Sequence, residues 1–264
     1  MKKIKWIIVL LPTLLLLNCA SFVTNKKAAA KAKSVAVVLA AQSKAPENED
    51  GGGSYTGLAA LAGGATESKD ETVSFGGSKL ITYTIEAINK RFTEVNSWKT
   101  IPAAKVTSSP VYKQFSVTYE KFTSEEYSTM GPLIYFATTY PDGYVKYISG
   151  SEGYGKVNYM LKDLMTGLPA DAALFIYLKL TYKGSFTIGG TGTAKVGVEL
   201  SMGGLSSEGE FFLDKNYKFR GTSDRSTAII AGNIIYTPEV ESMYKEAIDS
   251  ALDKMIANLE ENVK

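Results

Sequence analysis

Ala170-Asp171-Ala172-Ala173-Leu174-Phe175-Ile176-Tyr177-Leu178-Lys179-Leu180 reads as a turn that passes into a buried strand. Ala172 to Tyr182 is the most apolar run after residue 18, so it is expected to be the central strand of a sheet. Just before it, Val157, Met160, Leu161 and Leu164 share one side of a helix from Lys156 to Thr166. Gly167 ends that helix and Pro169 prevents its resumption. After it, Thr191 to Met202 alternates, with Val196, Val198, Leu200 and Met202 inward and Lys195, Glu199 and Ser201 outward. Gly203-Gly204 is read as a turn, and Gly209 to Leu213 as a segment pairing back. Helix, central strand and returning strands together predict an α/β fold, a mixed sheet flanked by helices.

Upstream, Ser34 to Leu39 is apolar on both faces and predicts a short buried strand. From 41 to 77 the pattern breaks into a glycine-rich insertion, whose Leu58-Ala59-Ala60-Leu61-Ala62 piece suits a helical turn or a membrane-touching patch. Ser78 is placed to cap a helix with Ile81, Ile85, Ile88, Phe92 and Val95 on one face. Trp98 to Val106 reads as extended. Ser109-Pro110 opens another helix, whose stripe is Tyr112, Phe115, Tyr119 and Phe122. Leu133 to Tyr140 and Tyr144 to Ile148, joined by Pro141-Asp142-Gly143, predict a hairpin or tight turn. Thr237-Pro238-Glu239 starts a long amphipathic C-terminal helix with an apolar stripe from Val240 to Leu259.

The amino-terminal end fixes a destination. Met1-Lys2-Lys3-Ile4-Lys5 precedes an apolar run from Trp6 to Leu17, shorter than the roughly 20 residues a spanning helix needs. Leu16-Leu17-Asn18-Cys19 resembles the lipobox of bacterial lipoproteins, with Asn18 in place of the usual Ala or Gly, as in the relaxed lipoboxes of spirochaetes. The resemblance implies a signal peptide over 1–18, cleavage before Cys19 and acylation of that cysteine. It also implies attachment to membrane lipid in a bacterial cell envelope, at the outer membrane. Residues 19–33 are expected to be a lipidated tether, and 34–264 a single domain. Four lysines (26, 27, 31 and 33) crowd that tether without an acid among them, as a solvated spacer or as a patch attracted to anionic headgroups.

Composition excludes several classes. Without Lys2, Lys3 and Lys5, 26 basic residues face 27 acidic ones, and a clustered basic excess for nucleic acid is missing. The chain has no histidine and one cysteine, which removes imidazole catalysis, Cys/His zinc sites and, once Cys19 is acylated, any disulfide.

The order of elements, with Val35 to Leu39, the helix from Ser78 followed by Trp98-Lys99-Thr100-Ile101, and Leu161 to Leu180 entered through Ala170-Asp171-Ala172-Ala173-Leu174, resembles the periplasmic domain family of the curli-secretion lipoprotein CsgG and the TolB amino-terminal domain. The likeness runs from about Ser34 to Leu213. It implies an α/β sandwich used for envelope assembly, secretion and partner binding, without catalysis of its own. The long 41–77 insertion and a tyrosine-rich segment in place of a strand depart from that pattern.

Chemical motifs are sparse. Gly150-Ser151-Glu152-Gly153-Tyr154-Gly155-Lys156 has the spacing of a phosphate loop, but Val157 stands where a hydroxyl must reach magnesium. Ile188 to Thr193 is glycine-rich yet opens no helix. Ser242 and Lys245 have Ser-x-x-Lys spacing without companion motifs. Glu208, Glu210 and Asp214 could serve as hydrolytic carboxylates or as edge-guarding charges. Nine of the 16 tyrosines fall between Tyr112 and Tyr159, and Tyr140, Tyr144 and Tyr154 form a candidate partner surface for an envelope protein or glycan, against the reading of tyrosines packed in the core. The expectation is a binding or assembly module that is not an enzyme and takes no cofactor, metal or nucleotide. A CsgG-like secretion pore component and a carboxylate-dependent hydrolase are the alternatives.

Overall fold

The computed structural model describes residues 21–49, 75–95, 98–127, 138–148, 151–153, 155–186, 191–230 and 233–263. Helices α1 (Lys26–Lys31), α2 (Lys79–Val95), α3 (Ala103–Thr107), α4 (Pro110–Tyr127), α5 (Gly155–Gly167) and α6 (Pro238–Val263) flank a mixed sheet. Its strands are β1 (Ser34–Ser43), β2 (Glu47–Asn48), β3 (Lys99–Thr100), β4 (Thr138–Thr139), β5 (Ala172–Phe186), β6 (Gly192–Ser206), β7 (Phe211–Leu213), β8 (Lys218–Ile230) and β9 (Asn233–Ile234). The order is β3-β1-β5-β6-β8-β9, with β2 on β5, β4 on β1 and β7 on β6. β5 is therefore an interior strand, parallel to β1 on one side and antiparallel to β6 on the other. Val35 to Ser43 is buried at every position, so side chains of both parities are covered and helices lie on both faces of β1.

α6 lies across β6 and β8 and against α2, burying ten residues from Val240 to Leu259 in one stripe. Thr237 caps it, its Oγ1 accepting the Val240 N–H at 3.2 Å. α4 packs on α5, and its stripe Tyr112, Phe115, Tyr119 and Phe122 is buried as the spacing predicts.

The chain differs from its sequence reading in six places. β1 runs on to Ser43 and β2 follows, so the start of the expected insertion belongs to the sheet; 50–74, including Leu58 to Ala62, lies outside the described residues. The start of α2 is met by buried Gln42, whose Oε1 accepts the Ile81 N–H and whose Nε2 donates to the Gly77 carbonyl, both at 2.8 Å. The expected extended segment from Trp98 holds β3 and then turns into α3. Pro141 to Tyr144 is a tight turn with Gly143 at φ +80°, but β4 pairs antiparallel with β1 and not with 144–148. Gly203-Gly204 is no turn: β6 continues to Ser206, because Gly204 leaves room for the Phe212 ring, 2.7 Å from where a Cβ would sit. β8 had no counterpart in the sequence reading.

Candidate functional site

The segment expected to be a free tether is stitched into the body. The Asp214 N–H donates to the Phe22 carbonyl at 2.8 Å, and the Thr24 N–H donates to the Phe212 carbonyl at 3.0 Å. Val23 thus bridges Leu213 as one more antiparallel step beyond β7. Phe22 is fully buried, edge-on to Phe219 at 4.8 Å and tilted against Tyr217 at 5.9 Å. Phe212 in turn meets the Trp98 ring at 6.0 Å. A segment with two such buried side chains cannot behave as a solvated spacer.

α1 continues this attachment. Asn25 caps it, its Oδ1 accepting the Ala28 N–H at 3.0 Å while Nδ2 donates to Glu210 Oε2 at 3.1 Å. Ala28, Ala29 and Ala32 are buried, and Lys26, Lys27, Ala30 and Lys31 face out. Only alanine on the inner face lets so short a helix lie close to β7 and α6, which it touches. Lys31 pairs with Glu208 at 2.9 Å. The signal was present in the sequence: Asn25 stands three residues before an Ala28-Ala29-Ala32 stripe.

Asp171 locks the far end of α1 to the sheet. Its Oδ2 accepts from the Ser34 N–H at 2.8 Å, the Ser34 hydroxyl at 2.9 Å and the Lys33 N–H at 3.0 Å. Partial burial works to raise its pKa, but these donors and the Lys33 charge outweigh it and hold the carboxyl below its ordinary value. A shallow open cleft of about 160 Å³ lies between α1, Asp171 and Ser206 to Glu208.

Of the three candidate tyrosines, the two among the described residues differ in exposure. Tyr140 is 40% exposed, but Tyr144 is buried at 6%, and Tyr154 lies outside the described residues. Tyr144 is removed from the candidate surface because its ring packs on Tyr112, 6.2 Å away, beneath α4. The tyrosine richness has a local cause. Residues 144–148 form no strand, so their backbone groups need other partners. The Tyr112 hydroxyl accepts from Val145 N–H at 3.2 Å and donates to the Val38 carbonyl at 2.9 Å. The Tyr119 hydroxyl accepts from Ile148 N–H at 3.1 Å and meets Ser151 Oγ at 2.7 Å. Tyr147 donates to the fully buried Glu152 at 3.0 Å, and Lys215 Nζ reaches the other Glu152 oxygen at 3.1 Å. Phenol hydroxyls here replace a sheet ladder.

The weaker motifs are placed as follows. Ser151–Gly153 is a 3₁₀ turn around buried Glu152, and Lys156 lies over the Phe122 ring at 5.4 Å. An inward carboxylate in the turn opposes a phosphate guest. Residues 187–190 are outside the described residues. Ser242 Oγ accepts from Arg225 at 2.9 Å, while Lys245 pairs with Glu241 at 2.6 Å, so serine and lysine have separate partners. Glu208 and Glu210 hold α1, and Asp214 Oδ1 accepts the Asn216 N–H at 2.9 Å. Among the described residues no three acids, cysteines or histidines group as a metal site, and no helix is long and apolar enough to cross a membrane.

No protein-family model and no curated protein matches this chain. Among solved structures, the lipoprotein GNA1162 from Neisseria meningitidis is similar over 85% of this chain and 98% of its own, with 15% identity and a TM-score of 0.25, a superposition too loose to carry an argument.

Proposed function

We propose that this chain is a bacterial envelope lipoprotein, held to membrane lipid through acylated Cys19 and acting as a non-catalytic binding or assembly module for an envelope protein or glycan. The observation that carries the reading is the junction at Ser21 to Thr24: directly after the lipobox-like Leu16-Leu17-Asn18-Cys19, the chain enters the sheet. A cleavable leader ends where the folded body begins. The non-catalytic half is supported by the employment of the candidate acids, since Glu208, Glu210 and Asp214 each hold local structure. The outer membrane and the CsgG/TolB kinship belong to the same proposal and rest on the sequence resemblance.

Mass spectrometry of the mature amino-terminal peptide from the native envelope tests the anchor. A peptide beginning at Cys19 with acyl mass is the expected result, and Cys19→Ser is expected to leave the membrane fraction. An unmodified Cys19, or an unaltered distribution of the variant, overturns the reading. Crosslinking the protein in its own envelope tests the module: a discrete protein or glycan adduct is expected, whereas turnover of envelope glycan that is lost in Glu208→Gln or Glu210→Gln favours the hydrolase.

A further inference from the structure

The sequence alone left the basic cluster after Cys19 as either a spacer or a lipid-facing patch; the structure excludes the free spacer. A flexible stretch from Cys19 to Lys33 would have a mean span of about 20 Å, enough to lift the body clear of the headgroups. No such stretch exists, because Phe22 is already in the core and the Thr24 N–H is already bonded to Phe212. From Cys19 to Ser21 are two chain steps, a reach of at most about 7 Å. One leaflet's headgroup layer is about 5–7 Å deep. With acyl chains in the hydrocarbon, the first bonded residues of the body therefore reach the outer limit of the headgroups.

Resting on the anchor reading, we infer that the protein has no tether and sits directly on the bilayer through the α1 end of its sheet, with Lys26 and Lys27 against anionic lipid headgroups. Both lysines are exposed, and among the described residues neither forms an ion pair, whereas Lys31 is committed to Glu208. They follow the anchor in sequence by seven and eight residues, on a helix fixed to the body by Asn25, which donates to Glu210, and by the Lys31–Glu208 pair. The opposite end of the sheet is set by the same contact. β5 and β6 pair without interruption from Ala172↔Ser206 to Phe186↔Gly192, so Ile230, which follows the Gly192↔Ile229 pair, stands about 40 Å along β6 from Gly204, the partner of the Leu213 that Val23 bridges. Ile230 is 52% exposed there. The membrane thus orients the long sheet axis and presents the β8–β9 end away from it.

The test uses the mature acylated protein in nanodiscs, since a cysteine placed elsewhere is the one free thiol once Cys19 is acylated. Nitroxide labels go on Ala30→Cys and Ile230→Cys, and a nickel-chelating headgroup lipid relaxes any label at headgroup level. Strong relaxation at position 30 and none at 230 is expected. In discs containing phosphatidylglycerol, Lys26→Glu with Lys27→Glu should weaken the relaxation at 30, and in phosphatidylcholine discs it should not. The lysine pair is expected to contribute about thirty-fold to association with the anionic surface. Melting followed by circular dichroism confirms that these surface variants stay folded. Equal, weak relaxation at 30 and 230 on protein carrying acyl mass overturns this proposal and leaves the anchor standing. Protection at 30 that depends on two copies per disc, and not on lipid charge, assigns the face to a second copy and also overturns it. Missing acyl mass overturns both readings.

Discussion

Gly221 of β8 and Ala247 of α6 meet backbone to backbone. A Cβ on Gly221 would run into the Ala247 carbonyl oxygen and lie 2.7 Å from the Ala251 nitrogen. The helix axis can come this close only because the sheet offers no side chain there and α6 offers two alanines. Gly221→Ala is expected to cost about 2–3 kcal/mol by forcing helix and strand apart. Gly155→Ala is the control: nothing lies within 4 Å of its Cβ, and a helix start gains about 0.5–1 kcal/mol from the loss of glycine's freedom. Urea unfolding of the two variants checks the contrast, and similar midpoints would refute the close-contact account.

A pair of hydroxyls separates structural phenols from surplus ones. The Tyr112 hydroxyl joins α4 to Val38 and Val145, whereas the buried Tyr144 hydroxyl has no hydrogen-bond partner among the described residues. Tyr112→Phe strands two buried backbone groups and should cost about 1–3 kcal/mol. Tyr144→Phe removes an unpaired polar atom from the core and should be neutral or stabilising by up to about 1 kcal/mol. Thermal unfolding of both variants decides this, and equal losses would contradict it.

The same tyrosines show where sequence reading stops. Helix spacing gave the α4 and α6 stripes and a continuous apolar run gave the β5 core, since both patterns are local properties. It did not give β8, whose buried positions are Phe219, Gly221, Ser223 and Ile229, with the small pair Gly221 and Ser223 at its middle. A strand that must admit α6 closely needs small inward residues, and these look like a polar loop in sequence. The Glu199 reading was half right. It lies on the face opposite Val198 and Leu200, yet it is buried because Lys218 at 3.1 Å and Arg220 at 2.6 Å close over it from β8. The role of Tyr144 was equally hidden, because surface or core depends on whether 144–148 finds a strand partner. The junction of Ser21 to Lys33 with the body was partly legible in the Asn25 cap and alanine stripe. Its essential bonds join residues about 190 positions apart, beyond any local pattern.

Acid should loosen the molecule through its depressed carboxyls. Asp171, Glu199, Glu241 and Glu246 are all held below their ordinary values by hydrogen bonds and cationic neighbours, against the opposing effect of desolvation. A group with a lowered folded pKa binds its proton more readily when unfolded, so its contribution is complete above the ordinary carboxylate range and fades as pH falls through the folded value. Stability is expected to decline below about pH 4.5. Asp171→Asn should flatten that decline and cost about 1 kcal/mol at neutral pH through weaker bonds to Lys33 and Ser34. Denaturant titrations at several pH values read both effects, and an unchanged acid limb in the variant would count against this assignment.

Alkali acts with the opposite sign. Burial, with help from the Asp249 hydrogen bond and charge, raises Tyr83 to about 12, and burial with Glu47 nearby raises Tyr177 to about 12. Between pH 10 and about 12 the unfolded chain loses these protons while the folded chain keeps them, so stability is full below 10 and falls across that window. Tyr177→Phe should shallow the fall. Ultraviolet titration of phenolate should show a late class of tyrosines in the native state, and a single class near 10 would remove the basis for the expectation.

Trp98 stands buried between Phe92 and Phe212, and Phe212 is the residue whose carbonyl holds Thr24. The chain has two tryptophans, and Trp6 lies within residues 1–18, the segment that the proposed processing would remove. Under that proposal the processed protein carries one indole, built next to the bond that holds Thr24. Its emission colour should report, without any dye, the moment at which the body closes over Phe22 to Thr24.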